Sequence, residues 1–227
     1  QHAEHHPHLL RVHTSRLGAR FEIGAWRFDR GDFDGSCDIL EQALGNLDAA
    51  DAAGVSSVDM EASRVAIQLQ IGHARRSLGQ HAAAAEAYRA SLAASDASLH
   101  KFIPTQSMPP RQMGLLGLAD VELKQGNVRE AAAAARRIET DVIGPARALD
   151  DAVSLLSRCA SAGLPDWPPA EADEFRAACL DDAFRLLHLR LDVALEGRDV
   201  LESAWAYGAL RGDPRWLGVQ RRFELSP

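Results

Sequence analysis

The chain has 227 residues, of which 46% are hydrophobic and 25% are charged, and this balance predicts a folded chain rather than a disordered one. Its formal net charge is −7 and its pI is near 5.7, which disfavours a nucleic-acid partner because proteins that bind phosphate backbones carry clustered lysine and arginine. No apolar run approaches the ~20 residues that span a bilayer, so we expect no membrane span.

The N-terminal segment, residues 1–7, is rich in histidine and is predicted to be mobile. Imidazoles bind transition metals, but neither a cysteine nor an ordered spacing accompanies these histidines. We therefore expect a mobile tail and no built metal site, with adventitious nickel or zinc binding as the lesser alternative. The histidines concerned are His2, His5, His6, His8 and His13.

The first predicted hairpin covers residues 8–54. Apolar residues recur every three or four positions through its first half, which indicates a helix with a broad buried face. Gly31 ends this helix, Asp32 is suited to cap the next one, and Gly54 ends that one in turn. The residues predicted to form the buried face of the first helix are Leu9, Leu10, Val12, Leu17, Phe21, Ile23, Gly24, Trp26 and Phe28.

Three further hairpins follow, and each consists of two segments with helical periodicity. No stretch shows the sustained period-two alternation that is typical of a strand. The predicted fold class is therefore all-α. The predicted bounds are about 56–95, 109–141 and 145–196 for the hairpins, 96–110 for a loop and 198–227 for a C-terminal cap.

Local signals place the helix boundaries. Ser56 or Ser57 is suited to cap the second hairpin, and the adjacent prolines at 109–110 suit the first turn of the third. The return helix of the fourth hairpin is predicted from about Pro169 to Glu196. Glycines spaced at this interval are typical of a stacked helical solenoid. The predicted turn glycines are Gly31, Gly79, Gly126 and Gly163, separated by 48, 47 and 37 residues.

Alanine-rich runs follow two of the turn glycines, at Ala82–Ala85 and Ala131–Ala135. Packed helices approach to ~8–10 Å where small side chains occupy the crossing, and alanine also has the best helix propensity. Ala84 and Ala131 each lie five residues after a turn glycine. We therefore predict that both lie where the two helices of a hairpin cross.

These spacings resemble the tetratricopeptide repeat (TPR). That pattern has an apolar residue and glycine in the first helix, then a turn glycine, a small residue, an aromatic residue, and a small residue before leucine. The tyrosine that the family places in its first helix is replaced here by Arg27, Arg75 and Glu122. The matching residues are Ile23, Gly24, Gly31, Ser36, Leu40, Ala43 and Leu44; then Ile71, Gly72, Gly79, Ala84, Tyr88, Ser91 and Leu92; then Leu118, Ala119, Gly126, Ala131, Ala135 and Ile138.

The TPR resemblance implies a right-handed α-solenoid of about four hairpins plus a capping helix, with residues 8–227 as a single repeat domain. It also implies a non-catalytic module that binds a protein or peptide in the concave groove lined by the first helix of each repeat. By register with the family, the groove residues are Phe28, Asp29, Leu69, His73, Arg76, Ser77, Leu116, Asp120, Leu123 and Lys124. Their mixed charge does not resemble the clamp with which some TPR proteins hold a C-terminal carboxylate.

The C-terminal part resembles the TPR tails of bacterial, planctomycete-type serine/threonine protein kinases. In those tails a helix begins at a pair of prolines, and a short motif similar to Asp213–Trp216 lies at the end of the chain. The resemblance implies that a kinase domain precedes Gln1 and that this region is its regulatory tail. A second alternative is a receptor for a small ligand or peptide, which a pocket enclosed by Trp167 and Trp205 would favour.

The sequence contains no complete motif that is typical of an enzyme active site or of a metal-binding loop. Residues 31–38 alternate acids as a calcium loop does, but Cys37 stands where the loop needs glycine and Ala43 where it needs glutamate. We therefore interpret the stretch as a polar helix start. No glycine-rich phosphate loop, GxSxG elbow or HExxH helix is present, so we predict no catalysis and no cofactor for these residues.

Two further features bear on partner and compartment. Arg16, Arg20 and Arg27 can share one stripe of the first helix, for which a solvated face is the favoured interpretation and an anionic partner the alternative. The cysteines are odd in number and widely spaced, which favours buried, reduced thiols and hence a cytoplasmic protein. They are Cys37, Cys159 and Cys179.

Overall fold

A computed structural model describes residues 7–55, 57–98, 110–140, 146–193 and 207–224 of the chain. All regular secondary structure in these ranges is helical, which confirms the predicted all-α class. The helices are α1 (Pro7–Asp29), α2 (Phe33–Ala52), α3 (Val58–Ser77), α4 (His81–Ser98), α5 (Pro110–Lys124), α6 (Val128–Thr140), α7 (Ala146–Ala160), α8 (Pro169–Val193), α9 (Gly208–Arg211) and α10 (Trp216–Glu224).

The chain divides into two compact units, of which the first contains α1–α5 and the second α6–α10. In the first unit α1 pairs with α2, and α3 pairs with α4, as two consecutive helical hairpins. Each second helix also packs on the first helix of the next hairpin, so α2 contacts α3 and α4 contacts α5. The first helices touch one another as well, since α3 contacts both α1 and α5.

Glycines with left-handed backbone conformation follow the ends of α1, α2, α3 and α5. Gly31, Gly54, Gly79 and Gly126 have φ between 72° and 80°, a region that other residues rarely adopt. The predicted turns at these positions are confirmed. Gly163 also lies in the connection that turns between α7 and α8, but it does not have a positive φ. Helix α7 already ends at Ala160, and a longer connection, rather than one left-handed residue, leads to α8.

Side-chain caps begin two of the helices where the sequence predicts them. The Asp32 carboxylate accepts a hydrogen bond from the Gly35 amide at 3.0 Å, and the Ser57 hydroxyl accepts one from the Met60 amide at 3.2 Å. Each cap satisfies an amide that lacks a partner inside its helix. The polar stretch at residues 31–38 is thus the start of α2, and Ser56 lies outside the described residues.

Small residues lie where the helices of a hairpin cross. Ala84 is fully buried in α4, the second helix of the hairpin that α3 and α4 form, and Ala131 is fully buried in α6. The crossing of α1 and α2 is equally close, because a Cβ added at Gly24 would lie 2.7 Å from Cγ of Leu40. The Ser36 hydroxyl also donates a 2.8 Å hydrogen bond to the Gly24 carbonyl oxygen there.

The predicted burial of Ile23 and Trp26 was wrong. Ile23 is 44% exposed and Trp26 is 56% exposed, whereas Leu17 and Gly24 on the same helix are buried. Helix α1 packs on α2 and α3 with one side only, and no described helix of the first unit covers the side that carries Ile23 and Trp26. Helical periodicity placed these residues on one face but did not reveal whether a neighbour covers it.

The second unit is built around α7 and α8, with α6 and α9 packed against them. A buried ion pair joins the two central helices, since Nε of Arg190 lies 3.0 Å from Oδ1 of Asp150. The Tyr207 hydroxyl donates to the same carboxylate at 3.4 Å. Burial raises the pKa of Asp150, although Arg190 and Tyr207 act in the opposite direction.

The remaining boundary predictions fall partly on described residues. Helix α1 begins at Pro7 and α8 begins at Pro169, while most of the predicted loop at 96–110 and the first part of the predicted cap lie outside the described residues. None of the described helices combines the length and the apolar character that crossing a bilayer requires.

Candidate functional site

The surface predicted to bind a partner lies on α1, α3 and α5 of the first unit. All ten predicted groove residues lie on these three helices. They are Phe28 and Asp29 on α1; Leu69, His73, Arg76 and Ser77 on α3; and Leu116, Asp120, Leu123 and Lys124 on α5.

Three of these residues form a charge cluster between α3 and α5. The Asp120 carboxylate lies 3.0 Å from Nζ of Lys124 and 3.7 Å from a guanidinium nitrogen of Arg76. Asp120 is half-buried, whereas both cations remain more than a third exposed. The charge cluster therefore holds two positive charges around one carboxylate at the surface.

His73 points inward from the same stretch of α3. Its Nδ1 lies 2.8 Å from the hydroxyl of Tyr88 on α4, and the two rings meet edge to face. Burial, together with the nearby Arg76, lowers the pKa of His73 to about 4, so the imidazole is neutral at physiological pH. This predicted groove residue thus contributes no charge to the surface.

The other predicted groove residues differ in how much they expose. Leu69 is buried, and its side chain belongs to the core between α3 and its neighbours. Phe28 is half-buried, with its ring packed against Phe33 at 5.2 Å between centroids. Leu116 and Leu123 are half-buried on α5 and supply apolar surface next to the charge cluster.

The sequence did not predict the contacts that Tyr88 makes with the neighbouring helices. Tyr88 was matched to the aromatic position of the TPR pattern, but its hydrogen bond to His73 was not predicted. Its ring is completely buried between two glycines, and a Cβ at Gly72 would lie 2.6 Å from the ring. A Cβ at Gly117 on α5 would lie closer still, so Tyr88 joins α3, α4 and α5. The glycines at positions 72 and 117 are the feature of the sequence that could have predicted this close packing around Tyr88.

The cysteines are packing residues in this structure. Cys37, Cys159 and Cys179 are buried and unbonded to one another. Burial raises the pKa of the Cys159 thiol to about 12 and that of the Cys179 thiol to about 11. Both thiols are therefore protonated at neutral pH and are poor nucleophiles.

The segment Asp213–Trp216 makes local contacts within the second unit. The Arg215 guanidinium lies 4.4 Å above the Phe184 ring and donates a 2.6 Å hydrogen bond to Asp181 of α8. Arg215 also bonds Asp213, which lowers the pKa of that carboxyl. Through these contacts, the residues that precede α10 are held against α8.

The histidine-rich tail is not part of the described site. His2, His5 and His6 lie outside the described residues, as does Trp205 of the predicted aromatic pocket. In the part of the chain that the structure describes, no three His, Cys, Asp or Glu side chains form a group that could hold a metal ion.

Consecutive helical hairpins give the described part of the chain an all-helical, TPR-like repeat fold. Two solved structures are similar to it, both of TPR-like repeats from a Podosopora anserina protein described as a kinesin light chain. One has a TM-score of 0.43 at 22% identity, covering 88% of this chain and 98% of that chain. The other, a variant, has a TM-score of 0.44 at 22% identity, covering 88% and 97%. No protein-family model and no curated protein matches the chain.

Proposed function

We propose that this chain is a non-catalytic module that binds an acidic peptide or helix of a partner protein on the surface formed by α1, α3 and α5. The observation that carries the proposal is the charge cluster of Arg76, Asp120 and Lys124. Its two cations surround one carboxylate, so the cluster has a residual positive charge that favours an anionic side chain.

The apolar surface beside the charge cluster supports the same function. Leu116 and Leu123 are half-buried on α5, the helix that carries Asp120 and Lys124. Peptide-binding surfaces combine such apolar contacts, which contribute most of the affinity, with a few charges that orient the ligand. The expected ligand therefore carries both apolar residues and at least one acidic residue.

The regulatory-tail function is a narrower form of this proposal, in which the partner is a kinase domain of the same protein. It rests on the resemblance of Asp213–Trp216 and its surroundings to kinase tails, and a kinase domain in the reading frame before Gln1 would distinguish it. The cytoplasmic location inferred from the three cysteines belongs to the same proposal. Receptor function has no supporting contact among the described residues.

The experiment selects ligands from a phage-displayed peptide library against the full chain and then titrates the selected peptides by fluorescence anisotropy. We expect the selected peptides to be enriched in aspartate and glutamate. The test variant carries Arg76→Glu and Lys124→Glu, and the control carries Arg221→Glu and Arg222→Glu on exposed positions of α10. Both variants change the net charge equally.

The test variant should bind at least about tenfold more weakly, while the control stays within about twofold of the original chain. Circular dichroism should show the same helicity for all three proteins. Undiminished binding by the folded test variant would remove Arg76 and Lys124 from the binding site and contradict the proposal.

A further inference from the structure

Helix α1 has an uncovered stripe on the side away from its own hairpin. Ala19, Ile23 and Trp26 are spaced by four and three residues, so they lie on one side of the helix, and Arg30 follows directly after its end. All four residues are exposed. The Arg30 guanidinium lies 4.5 Å above the Trp26 ring. We call these four residues the α1 stripe.

Internal repetition shows what covers this stripe elsewhere. With the turn glycines aligned, Ile23 corresponds to Ile71 in α3 and to Leu118 in α5. Ile71 is 2% exposed and Leu118 is 8% exposed, against 44% for Ile23. The same alignment matches Trp26 to two fully buried residues, Ala74 and Val121. Helix α3 packs on α2 and α5 packs on α4, the second helices of the preceding hairpins. Ile71 belongs to one buried cluster with Leu40, Ala43 and Leu47 of α2.

The contact between α2 and α3 also includes three ion pairs in which α3 supplies the cations. Arg64 lies 2.7 Å from both Asp48 and Asp51, and Arg75 lies 2.5 Å from Glu41. The acidic residues of α2 are thus spaced by seven and three residues, which places them along one side of the helix. They flank the apolar contact between the two helices.

Helix α1 carries arginines at both of the corresponding positions. Arg16 and Arg27 lie 48 residues before Arg64 and Arg75, the same interval that separates the turn glycines. Arg27 makes one contact that matches a contact of Arg75, and it also lies 3.7 Å from the Asp32 carboxylate of its own hairpin. Its guanidinium donates to the Gly35 carbonyl at 3.2 Å, as that of Arg75 donates to the Ala83 carbonyl at 3.3 Å.

The contact between α4 and α5 repeats the pattern independently. Arg111 corresponds to Arg64 and lies 2.8 Å from Asp96, which corresponds to Asp48. At the position that corresponds to Arg75 and Glu41 the charges are exchanged, because Glu122 on α5 pairs with Arg89 on α4. The two positions are therefore ion-pair sites at both contacts between successive hairpins.

We propose that the α1 stripe docks an amphipathic helix of a partner protein, which packs on α1 as α2 packs on α3. The partner helix has an apolar face for Ile23 and Trp26, and it has acidic residues at a spacing of seven that meet Arg27 and Arg16. Charge complementarity selects this occupant, since arginine at both positions favours carboxylates at both. This site uses different residues from the surface of the proposed function and goes beyond it.

The experiment uses a peptide of known complementarity as its probe. A peptide with the sequence of residues 33–52 has the required apolar face and the acidic residues Glu41, Asp48 and Asp51. A hydrocarbon staple between positions 38 and 42, both exposed in the chain, holds it helical and reduces the entropic cost of binding. The peptide is titrated into the full chain by isothermal titration calorimetry.

We expect saturable binding of one peptide per chain. Trp26→Ala and Arg16→Glu should each weaken it by about tenfold or more, whereas Arg221→Glu on α10 should leave it within about twofold. A peptide with Asp48→Arg and Asp51→Arg should bind the Arg16→Glu chain better than it binds the original chain. Such a reversal requires that Arg16 faces the peptide.

Several results would overturn the proposal. Absence of binding would do so. Binding that neither Trp26→Ala nor Arg16→Glu weakens would also do so, because it would show that the peptide replaces α2 within the chain and does not contact the α1 stripe. Sedimentation showing a dimer that Trp26→Ala dissociates would assign the stripe to a second copy of the chain instead. The Arg76→Glu and Lys124→Glu variant should bind this peptide normally, so the two sites can fail separately.

Discussion

The hydroxyl of Tyr88 lies 2.8 Å from Nδ1 of His73, in the interior of the hairpin that α3 and α4 form. Burial raises the pKa of Tyr88 to about 12, so the phenol keeps its proton and can donate it to a neutral imidazole. The pair therefore connects the two helices by a hydrogen bond that depends on the protonation state of His73.

This pair predicts a loss of stability in acid. Burial and Arg76 lower the pKa of folded His73 to about 4 from an ordinary value of 6.5, so the unfolded chain takes up a proton that the folded chain does not. His73 contributes its full stabilising free energy at pH values above the pKa that it has in the unfolded chain. This contribution declines as the pH falls from there towards the pKa that His73 has in the folded chain. Between pH 7 and pH 5 we expect the free energy of unfolding to fall by about 2 kcal/mol from this group.

Urea unfolding of the original chain and of a His73→Gln variant at both pH values measures this contribution. Glutamine keeps a polar group near Tyr88 but does not titrate, so the variant should lose about 2 kcal/mol less than the original chain over this interval. Equal losses in the two proteins would show that His73 does not have the lowered pKa.

Gly117→Ala should destabilise the first unit. The new Cβ would overlap the Tyr88 ring, which is completely buried and has no space to move. Overpacking of this kind costs about 1–3 kcal/mol, and the better helix propensity of alanine offsets up to about 1 kcal/mol of it. The matched control is Gly45→Ala in α2, where an added Cβ meets no atom within 4 Å. Thermal unfolding should show a lower Tm for Gly117→Ala and an unchanged or higher one for Gly45→Ala.

Ala84→Leu should overpack the crossing of α3 and α4. Ala84 is fully buried, so the longer side chain has to displace its neighbours at a cost of about 1–3 kcal/mol. Ala82→Leu, at an exposed position of the same helix, provides the control and should have little effect. If denaturant midpoints were equal for the two variants, Ala84 would not be at a tight crossing.

Exchanging the charges of Arg89 and Glu122 should be tolerated better than changing one of them. Glu122 is 1% exposed on its side chain, so Arg89→Glu alone leaves a buried carboxylate facing another carboxylate, a loss of about 2–3 kcal/mol. Adding Glu122→Arg recreates the orientation that Arg75 and Glu41 already have at the preceding contact. The double variant should recover more than half of the lost free energy of unfolding. Purely additive losses in a double-mutant cycle would contradict this coupling.

Much of the fold could be predicted from local sequence because its causes are local. A left-handed glycine, such as Gly79, ends a helix through its own backbone freedom, and Asp32 caps a helix by reaching an amide three residues away. The replacements for the TPR tyrosine were also visible in the sequence. Their role was not, because Arg75 and Glu122 have their partners on other helices, more than thirty residues away.

The candidate surface was less predictable because a periodic pattern places a residue on a face without identifying its neighbours. His73 was assigned to the groove by register, yet it bonds Tyr88, and Arg76 and Lys124 share the carboxylate of Asp120. Leu69 was assigned to the same groove and is buried. These contacts depend on how α3, α4 and α5 pack together.

The sequence by itself determined the helices, their turns and the register of the repeats, since these follow from the conformational preferences of residues a few positions apart. Only the tertiary structure decided which helix faces are covered. Ile23 and Ile71 occupy the same place in the repeat, but Ile71 is buried in a cluster that includes Leu40 of α2, whereas Ile23 is 44% exposed. Burial is a property of the neighbouring element as well as of the residue, and that neighbour is not encoded within the helix itself.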